Sequence, residues 1–331
     1  MKILMIGGTV FLGRHIVDSA LARGHEVTMF NRGQHNPEIF PEVEKLRGNR
    51  DGGLDVLKGR RWDAVIDTCG YVPRVVAASA QLLADAAEHY TFVSSGSVYA
   101  GDVINPTEET PVLTLADETV EQVTGETYGA LKALCEKAAE AAMPGRVLNV
   151  RSGLIVGPHD PTDRFSYWPC RVARGGEVLA PGKPDARVQV IDGRDLADWI
   201  VRMAEARKAG VYNTTGPNYR LTLGEVLTAA KEASGSDAAF TWIPDEFLVE
   251  KQVGGWMEMP LWVPDGGADG LFSMVIDKAV ADGLTFRPIA ETVADTIAWD
   301  KTRPADREWR AGLKADKEAA ILAAWHQAQQ Q

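Results

Sequence analysis

Tyr128 and Lys132 stand four residues apart in Tyr128-Gly-Ala-Leu-Lys132, at the head of an Ala-rich segment that predicts a helix over 128–142. On a helix that spacing puts a phenol and an ammonium on one face. A nearby positive charge favours the phenolate and brings a tyrosine toward working pH, so the pair suits proton exchange with a substrate oxygen. Ser95, in the Ser94-Ser95-Gly96-Ser97 that ends the strand-like run Tyr90–Val93, offers a hydroxyl to hold the same oxygen. A nicotinamide beside the three would supply or accept hydride. Most Tyr–Lys pairs at this spacing are only solvated helix surface, so the reading depends on what positions this one.

The positioning elements begin at the first residues. Ile3–Ile6 is an apolar run of strand type, Gly7-Gly8-Thr9-Val10-Phe11-Leu12-Gly13-Arg14 follows, and Ile16, Val17, Ala20 and Leu21 then recur at helical spacing. A strand that turns sharply into a helix aims free N–H groups and a positive dipole end at one spot, which suits a phosphate. Gly7, Thr9, Val10, Phe11, Leu12, Gly13 and Arg14 are therefore candidate dinucleotide contacts. The glycine fingerprint is incomplete, because Val10 stands where a G-x-x-G-x-x-G pattern has its middle glycine.

The second strand, Val27–Phe30, ends in Asn31-Arg32-Gly33. An acid there would hold the ribose 2′-OH of NAD, whereas an arginine accommodates the 2′-phosphate of NADP. Arg32, with Arg14 as a second charge, favours NADP over NAD. A third strand is expected over 43–46 and a helical turn over 54–57, and Asn49 is an adenine contact by position. Ala64–Asp67 is a buried strand, the small residues Thr68-Cys69-Gly70 can pass under a cofactor, and a helix is expected over 75–88. This alternation predicts an α/β protein with a parallel sheet wound on both faces and ligands at the strand C-termini. The glycine turn, Arg32, Thr68-Cys69 and Ser94-Ser95 all fall at such ends. The polar stretch 101–127 is long for a connection and reads as a cover.

Bulk properties narrow the class. A chain of 331 residues with 45% hydrophobic and 24% charged residues can bury a sizeable core. A net charge of −11 argues against nucleic acid as the main partner. Cys69, Cys135 and Cys170 are too widely spaced for a metal motif and read as reduced thiols. The first apolar run is too short for a signal peptide and no stretch approaches a membrane span, so a cytoplasmic protein is expected.

Four segments together resemble the extended short-chain dehydrogenase/reductase superfamily, of the NAD-dependent epimerase/dehydratase type. They are Gly7–Arg14, Ser94-Ser95-Gly-Ser-Val-Tyr99, Tyr128-x-x-x-Lys132 and Arg151-Ser-Gly-Leu-Ile-Val-Gly157-Pro158; Ile191-Asp-Gly-Arg-Asp195 fits as well. The resemblance covers about residues 1–200. It implies a Rossmann-type dinucleotide domain over 1–156, with elements of 185–215 returning to it, and a smaller mixed substrate lobe and helical tail over 157–331. It implies a catalytic triad of Ser95, Tyr128 and Lys132, in which Tyr128 is the acid/base and Lys132 binds the nicotinamide ribose. Ser94 would join the cofactor contacts.

Departures refine this. Val10 resembles an atypical branch that begins Gly-Gly-Thr-x-Phe-x-Gly and includes RNA-binding relatives without the triad; this chain keeps all three residues. Gly96-Ser97 stands where sugar-nucleotide 4,6-dehydratases carry Asp-Glu, so dehydration lacks its acid and base. Val188 stands where nucleotide-sugar epimerases place a diphosphate-binding arginine, and Arg187 would point to the other face. Ser97, His159, Arg164, Trp168, Trp256 and Trp262 are candidate substrate contacts, in a lobe whose aromatic wall suits a small, fairly apolar or cyclic ligand. The expected function is NAD(P)-dependent hydride transfer at a secondary alcohol or ketone of a small cyclic or sugar-like metabolite. An epimerase with tightly bound cofactor and a non-catalytic dinucleotide- or RNA-binding protein are the alternatives. A homodimer through the Ala-rich helices is a further expectation.

Overall fold

The structure, a computed structural model, describes residues 1–264 and 267–330. Its strands in the first half are β1 (Lys2–Ile6), β2 (Glu26–Asn31), β3 (Glu44–Arg47), β4 (Trp62–Asp67), β5 (Ala87–Val93) and β6 (Val147–Ser152). After them come β7 (Leu154–Val156), β8 (Glu177–Pro181), β9 (Arg187–Val188), β10 (Val190–Asp192) and β11 (Gly210–Thr214). Seven strands form one sheet in the order β11-β6-β5-β4-β1-β2-β3. Every pairing within it is parallel. The order reverses beside β1, where a doubly wound sheet opens a crevice at its strand C-termini.

β1 shows why the sheet is covered twice. Ile3 and Met5 pack with α1 (Leu12–Ala22), through Ile16 and Val17. Leu4 and Ile6 face the opposite way, toward α2 (Pro73–Leu83) and α3 (Tyr128–Ala142), through Val76, Ala80 and Ala139. Successive side chains point to opposite faces, so a strand buried on both sides reads as an unbroken apolar run. The helix expected over 75–88 ends at Leu83 instead. The strand ladder claims the residues after it: Trp62 pairs with Ala87, and the Trp62 N–H donates to the Ala86 carbonyl at 2.8 Å.

The second half mixes short strands and helices. α4 (Tyr167–Ala173) and α5 (Gly193–Glu205) precede β11, and α5 packs on α1. Beyond β11 lie β12 (Leu221–Thr222), α6 (Leu223–Ser234), β13 (Ala239–Ile243), α7 (Asp245–Glu250), α8 (Gly267–Leu271), α9 (Asp277–Ala281), α10 (Ile289–Asp300) and α11 (Ala315–Ala328). β8 pairs with β13, and β9 with β12. Their core gathers Trp168, Leu179, Val226, Phe272 and Val293. Among the described residues, no helix is long and apolar enough to cross a membrane.

One ion pair lies under the crevice. Asp67, at the end of β4, is fully buried and receives two 2.8 Å bonds from Arg50, one from the Tyr90 hydroxyl and one from the Cys69 N–H. Burial would raise the Asp67 carboxyl, but Arg50 and these donors hold it below the usual carboxylate range. Removing one partner strands the other charge in the interior. Arg50→Met should therefore cost about 3–5 kcal/mol in urea unfolding, far more than substitution of an exposed arginine.

Candidate active site

The ammonium of Lys132 is buried between the sheet and α3. It donates to the carbonyls of Gly70, after β4, at 2.8 Å and of Val93, at the end of β5, at 2.6 Å. It also lies 4.2 Å from the Phe92 ring centroid and 5.3 Å from that of Tyr71. Burial brings its pKa down to about 8. Neither hydrogen bond goes to Tyr128. One turn earlier on the same helix, Tyr128 is half-buried, with its ring 6.4 Å from Tyr71.

Ser95 caps a single 3-10 turn, Gly96–Val98, and its hydroxyl oxygen accepts from the Ser97 N–H at 3.1 Å. That turn packs directly on the first turn of α3. Gly129 permits the approach, since a Cβ there would overlap the Ser97 carbonyl oxygen. The glycine thus holds the serine turn against the helix that carries Tyr128. Nothing in the sequence singled it out.

The glycine turn has the geometry of an anion cradle. Gly7 and Gly8 have φ of +109° and +97°, and a Cβ on Gly7 would stand 2.7 Å from Thr68 Oγ1. A Cβ on Gly13 would stand 2.9 Å from the Gly8 nitrogen, so the helix start is pressed onto the turn. No side chain caps α1 and its first turn holds no acid, which keeps those N–H groups open to a phosphate. Val10 projects outward, 42% exposed, so the turn closes without the missing glycine.

These parts meet on one cavity of about 880 Å³. Gly7, Thr9, Val10, Phe11, Leu12, Gly13, Thr68, Cys69 and Ser94 line one part of it; Ser95, Ser97, Tyr128, Lys132, Arg164 and Trp256 also line it. The 101–127 stretch contributes Gly101, Pro106, Leu113 and Gly125.

Other candidates fall elsewhere. Trp168 is fully buried and donates to the Pro260 carbonyl at 2.6 Å, and Trp262 donates to Asp245 at 2.8 Å; both belong to the lobe core, where aromatic bulk fills space. His159 does not line the cavity. It takes φ +72°, and its Nδ1 lies 3.4 Å from Arg14, which is thereby drawn away from the lining as well. Burial, with the Arg14 and His15 charges, lowers the His159 pKa to about 4. Asn49 is exposed and binds the Asp51 N–H. Gly70 is packed against Phe92 and Val76 and serves through its carbonyl. Arg32 is exposed beyond the lining, while Asn31 donates to the Gly7 carbonyl at 2.9 Å and so braces the turn from behind.

A buried polar chain behind the serine turn escaped sequence reasoning. The Ser94 hydroxyl donates to Glu136, Arg151 donates to both Glu136 oxygens, and Arg151 also donates to the Tyr99 hydroxyl at 2.8 Å. Tyr99 donates to Asn213, whose amide in turn holds the carbonyls of Pro106 and Val275. The chain ties the end of β5 to the 101–127 cover. Ser94, Tyr99 and Arg151 stand in the segments that carry the family resemblance, but nothing there joins them to one another, and Glu136 four residues beyond Lys132 is a pattern shared by many surface helices.

The Gly129 contact gives a test with a definite sign. In an ordinary helix interior Gly→Ala stabilises by roughly 0.5–1 kcal/mol. Gly129→Ala should instead destabilise by about 1–3 kcal/mol in urea unfolding, because the added methyl overpacks the serine turn.

Known proteins resemble this chain in part of its sequence and in its fold. A sequence model of the NAD dependent epimerase/dehydratase family matches residues 65–215. A bifunctional pinoresinol-lariciresinol reductase of Forsythia intermedia is 44% identical over 45 residues, a match that spans 14% of this chain and 13% of that protein. Bordetella bronchiseptica WbmH in complex with NAD+ superposes with a TM-score of 0.67 at 16% identity, covering 91% of this chain and 98% of that one. UDP-glucose 4-epimerase of Bifidobacterium longum, with NAD+ and UDP, gives 0.64 at 21%, covering 92% and 99%. Human epimerase family protein SDR39U1 with NADPH gives 0.60 at 20%, covering 90% and 99%. At these identities the likeness is one of fold. The stretch 65–215, with Ser95, Tyr128 and Lys132 inside it, is thus similar to the NAD dependent epimerase/dehydratase family.

Proposed function

We propose that the protein is an NAD(P)-dependent oxidoreductase that interconverts a secondary alcohol and a ketone on a small cyclic or sugar-like metabolite. One observation carries the reading: the glycine cradle, Ser95, Tyr128 and Lys132 share a single cavity of about 880 Å³. The cradle fits a dinucleotide pyrophosphate, and a bound nicotinamide would supply or accept the hydride. Tyr128 exchanges the proton with the substrate oxygen, and Ser95 holds that oxygen. Lys132 holds the floor of the site, with its third N–H left for a ribose hydroxyl.

We also propose a preference for NADP. Asn31 and Arg47 are register partners at the ends of β2 and β3, and the Arg47 guanidinium bonds Asn31 Oδ1 and packs on Gly33. With Arg32 beside them, two cations flank the position where a 2′-phosphate is read. Arg47 adds a charge that no motif in the sequence marked.

Net oxidation of NADPH by a panel of cyclic ketones tests the reductase reading. Isomer interconversion without net cofactor turnover would point to the epimerase instead. Tyr128→Phe should lower kcat/KM about 10²–10⁴-fold, the usual range for a lost general acid–base, with cofactor affinity retained. Calorimetry should find NADP+ bound more tightly than NAD+, and Arg47→Ala should remove much of the difference; equal or tighter NAD+ binding would contradict the preference.

Lys132 predicts a pH dependence. Its folded pKa of about 8 lies below the ordinary lysine value of 10.5, so the charged form is complete well below pH 8 and is lost as pH rises through it. Cofactor affinity should fall across that interval, and Lys132→Met should bind weakly with no such fall.

A further inference from the structure

We propose that the substrate carries a single carboxylate, paired with Arg164, on a compact ring that lies against Trp256. The proposal rests on the oxidoreductase reading above and adds the chemistry that selects the substrate.

Among the described residues that line the cavity, the cationic side chains are Lys132 and Arg164. Lys132 is committed to two carbonyls on the sheet side. Arg164 is therefore the cation left for a substrate. Its Nε donates to Thr162 Oγ1 at 3.2 Å. The two terminal nitrogens have no hydrogen-bond partner among the described residues, so the edge of the guanidinium that suits a planar carboxylate is open. Thr162 is itself fixed from behind. Its N–H and hydroxyl donate to the two oxygens of Asp160 at 2.9 and 3.0 Å. Asp160 is 1% exposed, so among the described residues of the lining the one acidic side chain is spent on the loop that carries Arg164.

The aromatic half is equally fixed. The Arg164 guanidinium lies 5.3 Å from the Trp256 ring centroid, within reach of a cation–π contact. Trp256 takes φ +64°, a conformation that bulky residues seldom adopt. Its N–H donates to the Trp262 carbonyl at 2.9 Å, and Met259 donates to Gly254, so a tight local fold holds the ring toward the cavity. Phe272 stands 6.3 Å from Trp256 between ring centroids, and Met274 and Leu271 extend the apolar wall. Val10, Tyr71 and Leu113 are each more than a third exposed where they border the cavity.

The charge count decides the class. A nucleotide diphosphate brings at least two negative charges, and among the described residues no second free cation lines this cavity. Arg187 does not line it, and Val188 is buried in the core. A neutral alcohol would leave the guanidinium edge unused. One planar anion on a compact ring satisfies both the cation and the aromatic wall.

Calorimetry on wild-type protein saturated with its tighter-binding cofactor, NADP+ or NAD+, tests this with cyclohexanecarboxylate, cyclohexanecarboxamide and UDP as probes. The acid should bind at least tenfold more tightly than the amide. Arg164→Met should abolish that difference and Arg164→Lys should retain part of it. Equal binding of acid and amide, binding of neither, or tightest binding of UDP would overturn the proposal. NADPH oxidation by 3-oxocyclohexanecarboxylate and its methyl ester separates the two layers. Acid-selective binding without oxidation of either ketone would sink the oxidoreductase reading and leave the carboxylate site standing. Equal oxidation of acid and ester, unchanged in Arg164→Met, would do the reverse.

Discussion

The buried ammonium of Lys132 is the interaction on which the rest of the site depends. Its two acceptors are main-chain carbonyls at the ends of adjacent strands, Gly70 after β4 and Val93 in β5. A charge this deep persists only because both carbonyls and two aromatic faces compensate for lost water. The same contacts set the rotation of α3 about its axis and so the direction in which Tyr128 emerges. The ammonium was expected beside the phenol; its hydrogen bonds lie on the sheet side instead, and the tyrosine is left facing the cavity.

Around that anchor the molecule spends charge on position. Asp67–Arg50 stiffens the β4 end beneath the crevice, and Glu136–Arg151 stiffens the β5 end beside it. Each pair reaches further through hydrogen bonds, the first to Tyr90 and Ser79, the second to Tyr99. Buried networks of this kind are costly when half satisfied and rigid when complete. Here they hold the two strand ends whose carbonyls grip Lys132. The second half uses the same device at Asp160–Thr162–Arg164, where a buried acid orders a loop that carries a cation lining the cavity.

The sheet and the first-tier site were legible because their signals are local. Ile3–Ile6 followed by Gly7 and Gly8, or Tyr128 one turn before Lys132, state their geometry through strand and helix periodicity alone. The helix end at Leu83 was missed because a ladder partner 25 residues upstream of Ala87, Trp62, decides where β5 begins. Trp168 and Trp262 looked like ligand contacts because aromatic density does not tell a pocket wall from a core. Arg50, Arg47, Gly129 and Arg151 hid their partners for another reason. Each acts on a residue brought near only by the fold, and a lone arginine or a helical glycine carries no sign of its partner.

A crystal structure of the protein with NADP+ tests the central claim most directly. The account predicts the pyrophosphate on the Gly7–Gly13 turn, with Lys132 keeping its bonds to Gly70 and Val93 and turning its third N–H to the nicotinamide ribose. The nicotinamide ring should then face the space between Tyr128, Ser95 and Arg164. A dinucleotide bound away from the turn, or a Lys132 that leaves its two carbonyls to reach the ligand, would contradict it.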